Sequence, residues 1–146
     1  MREASELKAL SSALSIFGLQ SQMAQGLFLE KCTCQRYAKN TVIFMEDTRN
    51  QTEYLLIEGV LHRFNVDNRG DNVTTGFYVG PDVVTPHFAR TVQGKSLFSL
   101  QTLTEAFVAE IRVADLDHLR YSNGEFRLFG MKVIEEAFSK NLQVDI

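Results

Sequence analysis

The chain has 146 residues, 45% hydrophobic and 23% charged, a composition that suits one soluble domain with its own core. A net charge of -3, with Lys and Arg scattered singly, argues against DNA binding by this chain alone, because such domains usually carry a basic stripe. No apolar run approaches the ~18 residues that span a bilayer, and the N-terminus lacks a signal-peptide pattern. We therefore expect no membrane partner and a cytoplasmic location.

Two helices are predicted near the N-terminus. Leucines at helical spacing indicate the first, over about residues 5–15. Ser21 is placed to cap the second, over about residues 22–30. The residues of this second helix that we expect to face the core are Met23, Leu27 and Phe28.

β-Formers dominate from Cys32 onward. Residues 60–66 and 73–79 alternate with period two and are joined by a turn-rich loop, which predicts a hairpin. Asn40 falls at a predicted tight turn, and asparagine tolerates left-handed backbone angles. His62 lies on the Val60 and Phe64 face of the hairpin, where a hydrogen-bonded core or edge histidine is expected. Further strands are predicted at residues 96–100 and 106–113.

The two cysteines, Cys32 and Cys34, would share one face of a strand. Their expected Cα separation of roughly 6.6 Å is near the upper limit for a disulfide. Plain thiols are the first interpretation, with redox sensing and metal binding as alternatives. Two cysteines are too few for the usual four-thiolate cluster, so we predict neither a metal site nor a cofactor.

Two more helices are predicted at the C-terminus. Asp115 could cap a short helix to about residue 121, and residues 122–124 break the chain. The longest helix follows, over about residues 125–143, and it carries two apolar stripes where a helix on one surface needs one. We expect one stripe to cover the roll and the other a second copy of the chain, giving a homodimer; a helix wedged within its own domain is the alternative. The candidate dimerisation residues are Phe126, Leu128, Met131, Val133, Ile134 and Phe138.

This order of helices, many short strands and helices predicts a single α+β domain over residues 1–146, built around a β-roll or jelly roll. Specific pieces are the run Tyr54-Leu55-Leu56-Ile57-Glu58-Gly59, Gly70 in the hairpin, Gly80 with Asp82, and Val108-Ala109-Glu110-Ile111 before Asp115-Leu116. In order and spacing they resemble the cyclic-nucleotide-binding domain of the Crp/Fnr transcription regulators, over about residues 14–142.

The resemblance implies a double-stranded β-helix sensor with a dimerisation helix, and a DNA-binding helix-turn-helix in a segment outside this chain. Where the family's phosphate cassette has Gly-Glu, an ungapped alignment places Thr85 and Pro86. Where it has an arginine and a small residue, Ser96 and Leu97 stand instead. The resemblance therefore implies that the carboxylate and guanidinium that hold a cyclic nucleotide are missing, and we expect no tight binding of cyclic AMP. Arg90 and Lys95 are the nearest cations and are displaced.

The residues of this degenerate pocket are Thr85, Pro86, His87, Phe88, Ser96 and Leu97. The pocket is either retuned for an unknown uncharged or apolar small-molecule effector or filled by its own side chains. His87 would titrate in the physiological range if it contacted a ligand.

Three functions stay open. The first is the regulatory ligand-sensing domain of a Crp/Fnr-like regulator. The second is a stand-alone small-molecule-binding or scaffold domain without DNA binding. The third, a cupin-type enzyme, needs several histidines at close spacing, whereas the three histidines here are isolated. Because nucleophile-elbow, Walker A and dinucleotide-binding motifs are also missing, we predict that the chain is not an enzyme.

Overall fold

The structure is a computed structural model that describes residues 4–86 and 94–144, with side chains as far as residue 139. Helices stand at both ends of a run of strands. The helices are α1 (Ala4–Ile16), α2 (Gln22–Lys31), α3 (Val113–Ser122) and α4 (Gly124–Val144). The strands are β1 (Thr33–Tyr37), β2 (Val42–Phe44), β3 (Thr52–Glu58), β4 (Val60–Val66), β5 (Asn72–Val79), β6 (Asp82–Val84), β7 (Ser99–Thr102) and β8 (Ala106–Arg112).

The strands form two antiparallel four-stranded sheets, in the orders β1-β8-β3-β6 and β2-β7-β4-β5. One core lies between the sheets and includes Tyr54, Leu61 and Leu100. A second core lies between the first sheet and the helices, where Leu55 and Ala109 meet Phe126. The predicted α+β jelly roll with flanking helices is therefore confirmed.

Local signals placed several turns and caps correctly. Asn40 has φ 64°, as expected for a tight turn. The Ser21 hydroxyl caps α2 by accepting a hydrogen bond from the Ala24 N–H at 3.1 Å. Gly59, between β3 and β4, has φ +114°, and a Cβ there would lie 2.5 Å from the Glu105 carbonyl oxygen. This crossing between the two sheets therefore requires glycine.

Two helix predictions were wrong in detail. Met23 is 72% exposed, and Ala24 packs into the core together with Phe28 instead. The third helix begins at Val113 rather than after Asp115, because β8 runs directly into it. Asp115 therefore lies in the first turn, and the N-cap residue, Arg112, makes no side-chain cap.

The regular alternation predicted for the hairpin is interrupted. Arg63 pairs with Gly76, but the next residue, Phe64, pairs with Thr74, so β5 has one extra residue at this point. Leu61 and Arg63 are both buried, whereas Phe77 and Val79 on β5 are exposed. A charged side chain, that of Arg63, thus lies in the interior of the roll on the face of β4 that Leu61 also occupies.

Candidate ligand chamber

The two segments that the alignment places at the phosphate cassette lie side by side. They are Thr85–Pro86 and Ser96–Leu97, and they are called the cassette segments below. The Leu97 N–H donates a hydrogen bond to the Pro86 carbonyl at 2.8 Å, which brings Thr85 and Ser96 into the same neighbourhood. Four of the six predicted pocket residues therefore come together. The other two, His87 and Phe88, lie outside the described residues, as does Arg90.

A small chamber lies beside these segments, between the roll and α4. It is lined by Arg63, Tyr78, Val83, Thr85, Leu97, Phe98 and Ala137. Its volume is about 10 Å³, which is room for about one water molecule. Pockets that bury small organic ligands measure roughly 300–1,000 Å³. In this conformation the chamber is filled by its own side chains.

Arg63 is the charged group of the chamber. Its side chain enters from β4 and only 4% of the residue is exposed. The guanidinium carbon lies 5.3 Å from the centre of the Phe98 ring, within the range of a cation–π contact. Gly76 faces it across the hairpin, where a Cβ would lie 2.8 Å from Arg63 Nε.

The Tyr78 phenol is a second polar group of the chamber. Burial raises the pKa of Tyr78 to about 12, while the nearby Arg63 guanidinium, which donates a hydrogen bond to it, lowers this pKa and the Asp82 carboxylate raises it. The phenol is therefore neutral at physiological pH. Asp82 is itself buried, and its Oδ1 accepts a hydrogen bond from the Val83 N–H at 2.8 Å.

The hydroxyls of the cassette segments are buried. Thr85 Oγ1 and Ser96 Oγ find no hydrogen-bond partner among the described residues, although only Thr85 lines the chamber. Lys95 points elsewhere, since its ammonium lies 3.9 Å from the exposed Asp47 carboxylate. In the chamber wall the positive charge thus comes from Arg63 on β4, and the cassette segments contribute the Thr85 hydroxyl and the apolar Leu97.

Helix α4 carries one apolar stripe inward and one outward. Phe126 and Val133 are 0% and 9% exposed and pack in the helix–sheet core, so the structure removes them from the predicted dimerisation surface. The remaining candidates are exposed by about half: Leu128 by 46%, Met131 by 60%, Ile134 by 48% and Phe138 by 52%. These four residues are called the outer face of α4 below.

The two described histidines and the two cysteines occupy ordinary environments. His62 has both ring nitrogens in hydrogen bonds, to Thr74 Oγ1 at 3.0 Å and Gln101 Oε1 at 2.9 Å, as predicted for an edge histidine. His118 is exposed on α3. Cys32 is buried, Cys34 is half-buried, and no disulfide joins the two. Across residues 4–86 and 94–144, no three His, Cys, Asp or Glu side chains are grouped as metal ligands would be.

Five of the seven residues that line the chamber were not among the predicted pocket residues, namely Arg63, Tyr78, Val83, Phe98 and Ala137. The inward position of Arg63 could have been predicted, because this residue follows the apolar Leu61 by two positions on a strand and so shares its inward face. Ala137 was assigned to the correct stripe of α4 but not to the chamber. No local pattern distinguishes Phe98 or Tyr78 from other aromatic residues of a strand.

Several solved structures share this architecture. The c-di-GMP responsive global regulator CLP of Xanthomonas campestris is 20% identical, with a TM-score of 0.73 over 82% of this chain and 59% of that one. A transcriptional regulator from Thermotoga maritima is 16% identical, with a TM-score of 0.69 over 77% of this chain and 87% of its own. The regulatory domain of Toxoplasma gondii PKA, solved with cAMP, is 10% identical, with a TM-score of 0.69 over 81% of this chain and 46% of its own.

The fold is that of a cyclic-nucleotide-binding domain. At these identities the likeness is one of architecture, and this chain spans about three fifths of the length of CLP. Neither a protein-family model nor a curated protein matches the sequence. Within the part of the chain that the structure describes, no helix has both the length and the apolar character to cross a membrane.

Proposed function

We propose that this domain is the regulatory module of a Crp/Fnr-like transcription regulator in the cytoplasm. The observation that carries the proposal is the position of α4. Ala137 of this helix lines the chamber, while the outer face of the same helix is exposed and apolar. A change in what fills the chamber would therefore move the helix that presents the outer face. DNA contact would come from a segment outside these 146 residues.

The proposed module does not use cyclic AMP as a tight ligand. A cyclic phosphate needs a bidentate guanidinium and a ribose needs an acceptor, and these positions hold Ser96 and Pro86. Each charge-assisted hydrogen bond that is lost costs about 1.5–3 kcal/mol. Together such losses weaken a micromolar site by several orders of magnitude. An effector, if the module has one, is of a different chemical class.

The proposed partner of the outer face is a second copy of the chain. Four large apolar side chains on one helix face, each about half-exposed, form a self-complementary surface when two copies of α4 meet about a two-fold axis. The spacing of Met131, Ile134 and Phe138 by three and four residues is that of a helix–helix seam.

The test is the oligomeric state of two matched variants. Met131→Glu places a carboxylate on the outer face, while Met23→Glu makes the same change at an exposed methionine of α2. In sedimentation velocity at high micromolar concentration, we expect wild type and Met23→Glu to be dimers and Met131→Glu a monomer. A monomeric wild type, or equal dimerisation of both variants, would contradict the proposal.

A scaffold domain without DNA binding is the second candidate. The small volume of the chamber favours it, because a filled chamber has little use in a sensor that must admit an effector. The two candidates differ in the size of the native protein. An intact mass of the native polypeptide that is larger than 16.5 kDa, with room for a DNA-binding segment, supports the regulator. A native mass of 16.5 kDa supports the scaffold.

A further inference from the structure

We infer that Arg63 is a built-in occupant of the chamber and that it thereby determines what the chamber can bind. The inference rests on the proposed function, because it takes the chamber to be the place where an effector would act. It goes further by assigning a role to a residue on β4, outside the cassette segments.

The chamber is shaped around the guanidinium. Gly76 leaves the space that any side chain would take, since a Cβ there would come within 2.8 Å of Arg63 Nε. The Phe98 ring supports the guanidinium at 5.3 Å, and the Tyr78 phenol oxygen accepts a hydrogen bond from it. A glycine, an aromatic ring and a phenol thus surround one planar cation.

The positive charge of Arg63 limits which ligands the chamber can admit. Arginine stays protonated at all ordinary pH values, and a buried cation is retained only where its surroundings compensate it. Here the compensating groups are an aromatic face, a phenol and the buried Asp82 carboxylate, which acts on the same phenol. An incoming cation would be repelled by Arg63 while it remains in place.

The small space that remains beside Arg63 also excludes larger ligands. Only about 10 Å³ remains beside Arg63, Thr85 and Ala137. A cyclic nucleotide would have to displace both the guanidinium and the Phe98 ring on which it rests. Removing the Arg63 side chain should therefore open a cavity that fits a small planar cation better than it fits a nucleotide.

The experiment is chemical rescue of Arg63→Ala by methylguanidinium, measured as a thermal shift of the full chain. We expect a saturable rise in Tm of about 2 °C or more at millimolar methylguanidinium. Wild type should show no such rise. The matched control is Leu61→Ala, which opens an apolar cavity two residues away on the same inward face of β4. It should not respond either, because its cavity lacks these polar groups.

A second measurement keeps the inference testable if Arg63→Ala does not fold. Nitrogen-15 NMR of wild type should show one arginine Nε–H that exchanges with solvent at least about tenfold more slowly than the others. That signal should vanish in Arg63→Met, where an unbranched apolar side chain fills the space. Equal exchange of all arginine Nε–H groups would overturn the inference, as would a folded Arg63→Ala that responds no more than Leu61→Ala.

These outcomes are separable from those of the proposed function. A monomeric wild type would refute self-association through α4 and leave the rescue of Arg63→Ala unaffected. A failed rescue, with wild type dimeric and Met131→Glu monomeric, would refute the role of Arg63 alone.

Discussion

The Glu125 carboxylate, in the first turn of α4, accepts hydrogen bonds from both the backbone N–H and the hydroxyl of Ser21, the N-cap of α2. The Gln20 N–H donates to the same carboxylate at 2.8 Å. This contact joins residues 104 positions apart and fixes the start of the C-terminal helix against the N-terminal pair. The orientation of α4 relative to the roll is therefore set at its first turn as well as by its buried stripe.

Replacing Glu125 with Gln should lower stability at neutral pH. The hydrogen bonds from Ser21 and Gln20 lower the pKa of the Glu125 carboxyl below its ordinary value of 4.5. A carboxyl with a lowered folded-state pKa stabilises the fold above pH 4.5, and this contribution is lost as the pH falls through the folded value.

Urea unfolding of wild type and Glu125→Gln from pH 7 to pH 3 measures the effect. The two should differ at pH 7, and the difference should shrink as the pH falls below 4.5. Glu136→Gln, at an exposed glutamate of the same helix, is the control and should follow wild type throughout. A constant difference between Glu125→Gln and wild type across the pH range would show that the carboxylate charge plays no part.

Replacing Glu110 with Gln should have the opposite effect on stability at neutral pH. Burial raises the pKa of the Glu110 carboxyl, and the hydrogen bond that it accepts from the Tyr37 hydroxyl lowers it only in part. A carboxyl with a raised folded-state pKa destabilises the fold. This penalty is complete above the folded-state pKa and disappears below pH 4.5, the ordinary value. We expect Glu110→Gln to be slightly more stable than wild type at pH 7, since a glutamine oxygen still accepts the Tyr37 hydrogen bond. At pH 4 the difference should be close to zero, and a variant that is less stable at both pH values would contradict this account.

Two phenylalanines of α4 should respond differently to truncation. Phe126 is fully buried, so Phe126→Ala should destabilise the domain by about 3–5 kcal/mol. Phe138 is 52% exposed, so Phe138→Ala should change the free energy of unfolding of the monomer little while weakening self-association. Denaturant unfolding below the dimerisation concentration and sedimentation above it separate the two effects. Equal losses of monomer stability would contradict the assignment of the two stripes.

Two glycines with positive φ should differ in how much stability is lost when each is replaced by alanine. Gly59→Ala should cost at least about 3 kcal/mol, since the added Cβ would meet the Glu105 carbonyl oxygen at 2.5 Å. Gly70 has φ +85° but no atom within 4 Å of such a Cβ, so Gly70→Ala should cost only the backbone strain of about 1–2 kcal/mol. The free energy of unfolding of each variant is the measurement. A Gly59→Ala protein as stable as Gly70→Ala would be inconsistent with the close approach of the two chains.

Features decided by neighbouring residues were predictable from the sequence. Asn40 at its turn, Ser21 at its cap and the two apolar stripes of α4 depend on local chemistry and periodicity, and the structure bears out each placement. Met23 was misplaced because successive residues of an α-helix point about 100° apart, so an error of one position on a short helix exchanges a buried residue for an exposed one. The long contact between Glu125 and Ser21 left no local signal.

The chamber was predictable only in part. Thr85 and Leu97 were located through their alignment with a known cassette, whereas Pro86 and Ser96, located in the same way, are not among its lining residues. Arg63 lies on the inward face of β4 together with Leu61, and the extra residue in β5 determines that Gly76 is its neighbour across the hairpin. A bulge of this kind depends on both strands at once, so the alternation of either strand by itself gives no indication of it.

Titration calorimetry of wild type with cyclic AMP tests the central claim most directly. The claim is that the position aligned with the phosphate-binding arginine holds Ser96 and that Arg63 and Phe98 fill the chamber. We predict no saturable heat of binding up to millimolar nucleotide at neutral pH. Capture of cyclic AMP with a sub-micromolar Kd would contradict the account.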